Sequence, residues 1–152
     1  MKLAEALQER ADLNRKIEQL RSRIESNVLV QEGEKPGEDP SKLIVEIDTS
    51  LKRLEYLITR INMTNCRISE DGVTLTEMIA KKDTLRIRAA AYRDIVSSAG
   101  QMIYRARNTE IKIIPAIDVA KVQKKADEIA KEIRTLDNRI QQLNWTADLI
   151  EE

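Results

Sequence analysis

Four segments of the chain carry apolar residues at alternating steps of three and four residues, and this spacing constrains the fold more than any other feature. A period of 3.5 residues aligns side chains in one stripe along an α-helix, as in coiled coils. The stripes are Leu3, Ala6, Arg10, Leu13, Ile17, Leu20 and Ile24; Ile44, Ile47, Leu51, Leu54, Ile58 and Ile61; Leu75, Met78, Lys82, Leu85, Ala89, Tyr92 and Val96; and Val119, Val122, Ala126, Ile129, Ile133, Leu136, Ile140 and Leu143. The sequence therefore predicts a mainly α fold, an antiparallel bundle of four long heptad-patterned helices, with residues 1–152 forming a single helical-bundle domain.

Residues typical of helix ends lie at the borders of these segments. Asp39 followed by Pro40 predicts the start of the second helix, because Asp caps free N–H groups and Pro suits the first helical position. Thr74–Glu77 has the spacing of a capping box for the third helix, which we expect to end at Gly100. Asp118 is placed to cap the fourth helix.

The connections between the helices contain the β-branched runs that lie outside the heptads. "NVLVQ" (27–31) and "EIKIIPAI" (110–117) each resemble a short strand. Because an isolated strand leaves its backbone groups unpaired, we expect the two to pair in a small β-ribbon, residues 28–31 with 110–114. A further turn signal, Asp71–Gly72, lies between Ile68 and Val73 and indicates a hairpin.

The composition argues against catalysis and against a membrane span. The chain has 26 basic and 26 acidic residues, no histidine and one cysteine, so the commonest general base and transition-metal ligand is absent. We predict a non-enzymatic protein with no catalytic residue, no cofactor and no metal site.

No apolar run approaches the roughly 18 residues that a membrane span needs, and the N-terminus does not resemble a signal peptide. The single cysteine, Cys66, fits a reducing compartment, and we expect a cytoplasmic location.

The acidic loop "GEKPGED" (33–39) joins the first two helices and contains two of the four glycines. It matches neither the phosphate-loop nor the dinucleotide-binding pattern, and its carboxylates would repel phosphate. A structural turn is one interpretation of this loop. A loop that binds a divalent ion or another ligand is the alternative.

Two long basic side chains, Arg10 and Lys82, interrupt stripes that are otherwise apolar. In an up-down-up-down bundle the first and third helices run parallel, and both residues would lie at a similar height. They could then form a buried polar layer with acidic residues of the other helices, Glu55 among them. The alternative is that both side chains bend outward to solvent.

Surface features of the sequence favour association with protein. Basic residues gather between Lys81 and Arg107, but helical spacing scatters them, and we expect a solvated face or a subunit contact with no nucleic acid bound. The only tryptophan, Trp145, is a candidate interface residue or anchor for the C-terminal tail. Aliphatic residues outside the stripes, such as Ile87 and Ile95, indicate a homo-oligomer, with a further protein partner unknown.

Several stretches resemble the small bacterial proteins known as septicolysin-like. They are "MKLAEALQERADL", "NVLVQEGEKPGEDP", "DGVTLTEMIAKKDTLRIR" and "EIKIIPAIDVAKVQKKADEIAKEIRTLDNRIQQLNWTADLIE". The resemblance extends over nearly the whole chain, and "VQEG" and "NWT" are its most specific parts. It implies no catalytic residue that can be assigned by position. The family's name implies a membrane-active, cytolysin-like protein, which is the alternative to a structural or protein-interaction role.

Overall fold

The computed structural model describes residues 1–101 and 113–152, and they are mainly helical. Helix α1 spans Leu3–Asn27, α2 spans Pro40–Arg67, α3 spans Leu75–Gly100 and α4 spans Val119–Thr146. Two short strands, β1 (Ser69–Glu70) and β2 (Val73–Thr74), form a two-stranded sheet. The predicted mainly α fold with a small β-ribbon is therefore confirmed at this level, although the ribbon lies at a different place.

The helix ends are formed by the residues that the sequence indicated. Asp39 accepts a hydrogen bond from the N–H of Ser41, and Pro40 is the first helical residue of α2. Thr74 and Glu77 form a reciprocal capping box at the start of α3, which ends at Gly100. Asp118 Oδ1 accepts from the N–H of Lys121 at 3.2 Å at the start of α4. These predictions are confirmed.

The chain divides into two compact units, and residues 1–69 with 143–152 make up the first. In this unit α1 and α2 form an antiparallel hairpin, because the ion pairs between the two arms run in opposite order along the chain. They are Glu9–Arg53, Lys16–Glu46 and Arg23–Glu38. The buried apolar residues of the unit are Leu3, Ala6, Ile17, Leu20, Leu43, Leu57, Ile61 and Leu149.

The buried face of α2 differs from the predicted one. Leu43, Ser50 and Leu57 are buried at seven-residue spacing, together with Ile61 and Thr64 farther along the helix. In the predicted stripe, the residues at 44, 51 and 58 are exposed. Only Ile61, the last residue of that stripe, is fully buried. Two hydroxyls explain the difference, because Ser50 Oγ donates to the Glu46 carbonyl and Thr64 Oγ1 donates to the Arg60 carbonyl. With these bonds made inside the helix, the two polar residues are buried at little cost.

A C-terminal clasp, residues 147–150, closes the first unit. The N–H of Leu3 donates to the Ala147 carbonyl at 3.0 Å, and the N–H of Leu149 donates to the Met1 carbonyl at 2.9 Å. The N–H of Ile150 donates to Thr64 Oγ1 at 2.9 Å. The clasp thus joins segments at opposite ends of the sequence, and it covers Leu3, which has no exposed surface.

The acidic loop is held by side chains at its two ends. The Asn27 side chain donates to the Arg23 carbonyl and accepts from the N–H of Glu38. Arg23 also forms a two-point ion pair with Glu38, which holds the pKa of that carboxyl below its ordinary value. Between these ends Gly33 has a φ of +87°, a conformation that suits glycine. These contacts agree with the structural-turn interpretation.

The predicted ribbon between 28–31 and 110–114 is wrong in the part that the structure describes. Residues 28–31 and 113–114 are not in strands, and residues 110–112 lie outside the described part of the chain. Val28, Leu29 and Val30 are exposed, and the loop is stabilised locally by the side-chain contacts at its ends and by a turn from Gln31 to Glu34. The two valines of this run therefore do not produce a strand.

The sheet forms instead at the Asp71–Gly72 turn. Asp71 has a φ of +53° and Gly72 a φ of +79°, so both central residues of the turn are left-handed. This is the requirement of a type I′ turn, and it explains why the Asp-Gly pair indicated a hairpin correctly.

The second unit, residues 70–142, contains the sheet's turn, α3 and most of α4. Ion pairs link its elements: Lys81 with Glu132, Lys82 with Asp137, and Arg139 with both Glu70 and Asp71. Its buried apolar residues are Leu75, Met78, Leu85, Ala126, Ile129, Leu136 and Ile140. All of them belong to the stripes predicted for the third and fourth helices. The single domain over 1–152 stays a prediction.

Candidate functional site

Three aliphatic side chains of α2 form an exposed row with heptad spacing. Ile44, Leu51 and Ile58 have 46%, 44% and 41% of their surfaces exposed. Residues seven apart lie two turns apart on the same side of a helix, so the three form one apolar line, which we call the α2 row. Single exposed aliphatic residues are ordinary on protein surfaces, whereas a line at this spacing has the form of a coiled-coil seam.

Charged residues of both signs flank the α2 row. Asp48, Glu55 and Lys52 all lie along the same side of it. All three are exposed. The structure shows no ion pair for any of them within the described residues. The row therefore has one charged edge, with residues of both signs, that is available for pairing.

The residues of the predicted polar layer lie in different units. Arg10 is half-buried on α1 and Glu55 is exposed on α2, both in the first unit, whereas Lys82 belongs to the second. No ion pair between Arg10 and Glu55 is found in the described part of the chain, and the pair that links α1 to α2 nearby is Glu9–Arg53. A layer that joins all three residues stays a prediction.

Lys82 has an acidic partner on α4. Its Nζ donates to Asp137 Oδ1 at 2.9 Å, and only 13% of the lysine side chain is exposed against 38% of the aspartate. This hydrogen bond holds the pKa of Asp137 below its ordinary value, with smaller contributions from the charges of Lys82 and Arg86. The lysine that interrupts the stripe of α3 is therefore neutralised within its own unit.

The lowered pKa of Asp137 predicts a pH-dependent contribution to stability. A carboxyl with a lower pKa in the folded state stabilises the fold above its unfolded pKa of about 3.9, and the contribution is lost as the pH falls through the folded value. We expect Asp137→Asn to lower the free energy of unfolding at pH 7 by less than about 1 kcal/mol, because the carboxyl is partly exposed. In urea titrations from pH 7 to pH 2, the difference from the unmodified chain should shrink below about pH 4.

The control for this prediction is Asp94→Asn, which removes an exposed carboxyl of α3 that has no ion pair among the described residues. It should leave the stability at pH 7 almost unchanged. A constant difference between Asp137→Asn and the unmodified chain over the whole pH range would contradict the ion-pair explanation.

Trp145 is 62% exposed in the last turn of α4. The tail is held mainly by the buried Leu149, by the backbone bonds of the clasp and by an ion pair between Lys2 and Asp148. Of the two roles predicted for Trp145, the exposed indole suits the interface better than the anchor. Its role in an interface stays a prediction.

Two other kinds of site are absent from the described residues. Within 1–101 and 113–152, no group of three or more His, Cys, Asp or Glu side chains is arranged to hold a metal ion. Among the helices of the same residues, none combines the length and the apolar character needed to cross a membrane.

Comparisons with known proteins give the chain a family and a structural relative. A crystal structure of a functionally unknown conserved protein from Corynebacterium diphtheriae is similar to this chain, with 34% sequence identity and a TM-score of 0.90. The similarity covers 99% of both chains. No curated protein matches. The model of a family of unknown function, DUF6847, matches residues 10–149, which is nearly the whole chain. The chain therefore belongs to the DUF6847 family.

Proposed function

We propose that this chain is a non-enzymatic interaction protein that forms a homodimer through the α2 row. The observation that carries the proposal is the exposure of Ile44, Leu51 and Ile58 at seven-residue spacing. The residues of α2 that pack inside the chain form a separate face of the helix. Burial of apolar surface is the main favourable term in the association of proteins, and heptad spacing lets two helices interdigitate along their whole contact.

A twofold axis close to Leu51 gives the simplest arrangement of two copies. The row is centred on this residue, with one aliphatic side chain seven positions away on each side. In an antiparallel contact of two α2 helices, Leu51 faces its own copy while Ile44 faces Ile58 of the other subunit. Such a contact uses the same surface on both subunits and closes on itself, as twofold interfaces do.

The flanking charges support the same arrangement. In the antiparallel register, Lys52 lies close to the level of Asp48 of the second copy, and each subunit supplies one residue to each pair. Pairs at the edge of an interface contribute mainly to register and specificity, and little to affinity. The charge pattern therefore agrees with an apolar seam bordered by opposite charges.

Static light scattering during size exclusion tests the proposal on the unmodified chain. We expect a mass of twice the 17.4 kDa of one chain at protein concentrations of about 100 μM, a range typical of this measurement. A single-chain mass at this concentration would overturn the homodimer.

Three finer predictions belong to the same proposal. The antiparallel four-helix bundle is supported by the burial of the heptad stripes of α1, α3 and α4. A non-enzymatic role is supported by a sequence without histidine and with a single cysteine. The same cysteine content supports a cytoplasmic location.

The resemblance to septicolysin-like proteins is tested separately with liposomes. Since the chain has no net charge and only 3% aromatic residues, we expect little affinity for lipid headgroups and no release of an entrapped dye. The assay uses vesicles of neutral lipid and vesicles with anionic lipid, with a detergent as the positive control. Release of dye at micromolar protein would favour the membrane-active alternative.

A further inference from the structure

A cavity of about 510 Å³ lies between α3 and α4 in the second unit. Its floor consists of small and aliphatic residues, namely Ala89, Ala126, Ala130 and Ile133. Three arginines complete the lining: Arg86 and Arg93 on α3, and Arg134 on α4. Its volume lies within the range of roughly 300–1,000 Å³ that small-molecule sites occupy.

In the described part of the chain, the three arginines lack the ion pairs that two lysines form between these helices. Lys81 and Lys82 of α3 have carboxylate partners on α4. Within the described residues, no ion pair is found for Arg86, Arg93 or Arg134. Arg86 does act through its charge on Asp137, but that carboxylate is already hydrogen-bonded by Lys82. Three exposed arginines therefore border one cavity without a full complement of negative charge.

The spacing of these residues explains how the cavity arises. Arg86 and Arg93 are seven residues apart and lie on one side of α3, with Ala89 between them on the same side. Ala126 and Ala130 are four residues apart on α4, followed four residues later by Arg134. Alanine side chains leave room between the helices where larger residues would fill it, and the long arginines border that room.

We propose that this cavity binds a small amphipathic anion, an oxyanion head group joined to an aliphatic body. The guanidinium group presents paired N–H donors that match the oxygens of a carboxylate or a phosphate. The alanine and isoleucine floor would cover the aliphatic part of the ligand. The site lies in the second unit and the α2 row in the first, so this inference is independent of the homodimer.

Isothermal titration with four small molecules tests the chemistry of the site. Decanoate and decyl phosphate carry both parts of the proposed ligand, decanol carries only the aliphatic chain, and inorganic phosphate carries only the head group. All are used below their micellar or solubility limits. We expect the two amphipathic anions to bind at least about tenfold more tightly than decanol or phosphate. Added salt should weaken the binding of both anions. The stronger of the two identifies the preferred head group.

Two sets of triple variants separate the cavity from general charge. Arg86→Gln, Arg93→Gln and Arg134→Gln together remove the three cavity cations. The matched control, Arg88→Gln with Lys124→Gln and Lys131→Gln, removes three exposed cations from the same helices outside the cavity. We expect the cavity variant to lose at least about tenfold in affinity for decanoate and decyl phosphate, and the control variant less than about twofold.

A third variant, Ala130→Leu, tests the apolar floor while it retains all three arginines. This variant should weaken the binding of decanoate more than that of phosphate, because the larger side chain fills space that the aliphatic part of the ligand would occupy. Circular dichroism and thermal melts confirm that each variant is folded. Equal affinities of the two triple variants for the amphipathic anions would overturn the proposal. So would an unmodified chain that binds none of them below about 1 mM, or that binds phosphate as tightly as decyl phosphate.

Discussion

A Leu51→Glu variant should be monomeric at concentrations where the unmodified chain is a dimer. In the proposed arrangement Leu51 faces its own copy at the twofold axis, so the substitution brings two carboxylates together and removes two leucines from the seam. A buried charge without a partner costs several kcal/mol, and the dissociation constant should rise by at least about 100-fold. Because Leu51 is 44% exposed within one chain, the variant should remain folded as a monomer.

The matched control for this experiment is Ile87→Glu. Ile87 is 72% exposed on α3 and lies outside the α2 row, so the same change in charge should leave the dimer intact. Masses are measured by light scattering at several concentrations, and far-UV circular dichroism compares the helix content of the two variants. If Leu51→Glu has the same mass as the unmodified chain, the α2 row is not the interface.

A cysteine at the centre of the row tests the proposed axis more directly. With Cys66 replaced by serine, Leu51→Cys should form a disulfide between subunits under mild oxidation, since residues at a twofold axis approach within the reach of such a bond. Ile87→Cys in the same background should not. A dimer that is stable but not cross-linked through residue 51 would show that the axis lies elsewhere.

Leu57→Ala should be the most destabilising single substitution in α2. Leu57 has no exposed surface and packs among the buried residues of the first unit, and truncation of such a leucine costs about 3–4 kcal/mol. For a chain of this length the midpoint of thermal unfolding should fall by about 6–16 °C. Its neighbour Ile58 is 41% exposed, and Ile58→Ala should cost less than about 1 kcal/mol.

Both alanine variants are compared in the Leu51→Glu background, so that association does not contribute to their stability. Urea unfolding followed by circular dichroism gives the free energy of unfolding of each. The comparison distinguishes the buried row of α2 from the exposed one. Equal losses at positions 57 and 58 would contradict the orientation of α2 in the structure.

The sequence predicted α1, α3 and α4 well because each has one dominant apolar stripe. In α1, for example, Leu3, Ala6, Ile17 and Leu20 of the predicted stripe are all buried. The helix ends were also predictable, since caps such as Asp39 and Thr74 act through neighbouring backbone groups and depend little on the rest of the fold.

Helix α2 was predicted less well because it has two rows with heptad spacing, offset by one residue. The row at 44, 51 and 58 is entirely aliphatic, whereas the row at 43, 50 and 57 includes a serine. Hydrophobicity alone favours the first row, but the hydroxyl of Ser50 is satisfied by the helix backbone and can be buried. The excess of aliphatic residues over those needed for the core predicted association of the chain with itself. In the structure the excess on α2 lies at positions 44, 51 and 58.

The ribbon was predicted at the wrong place and the cavity was not predicted, for different physical reasons. The β-branched residues at 28–31 favour extended backbone, but a strand needs a partner, and local side-chain bonds stabilise this loop instead. Arg86 and Arg93 are among the basic residues between Lys81 and Arg107, and no sequence pattern links them to Arg134 on α4. Three alanines opposite one another, at 89, 126 and 130, are the signal that could have indicated a space between the helices.

The C-terminal clasp has a consequence for the order in which the chain folds. The hydroxyl of Thr64 and the N–H of Ile150 are separated by 86 residues, and all of the second unit lies between them. During synthesis from the N-terminus, the α1–α2 hairpin emerges before the second unit, but the residues that cover Leu3 and Thr64 emerge only after it. Closing so long a loop has an entropic cost, which the contacts of the clasp can offset only after the second unit has been made. The first unit therefore begins to form before the second unit is made, and its folding is completed only afterwards.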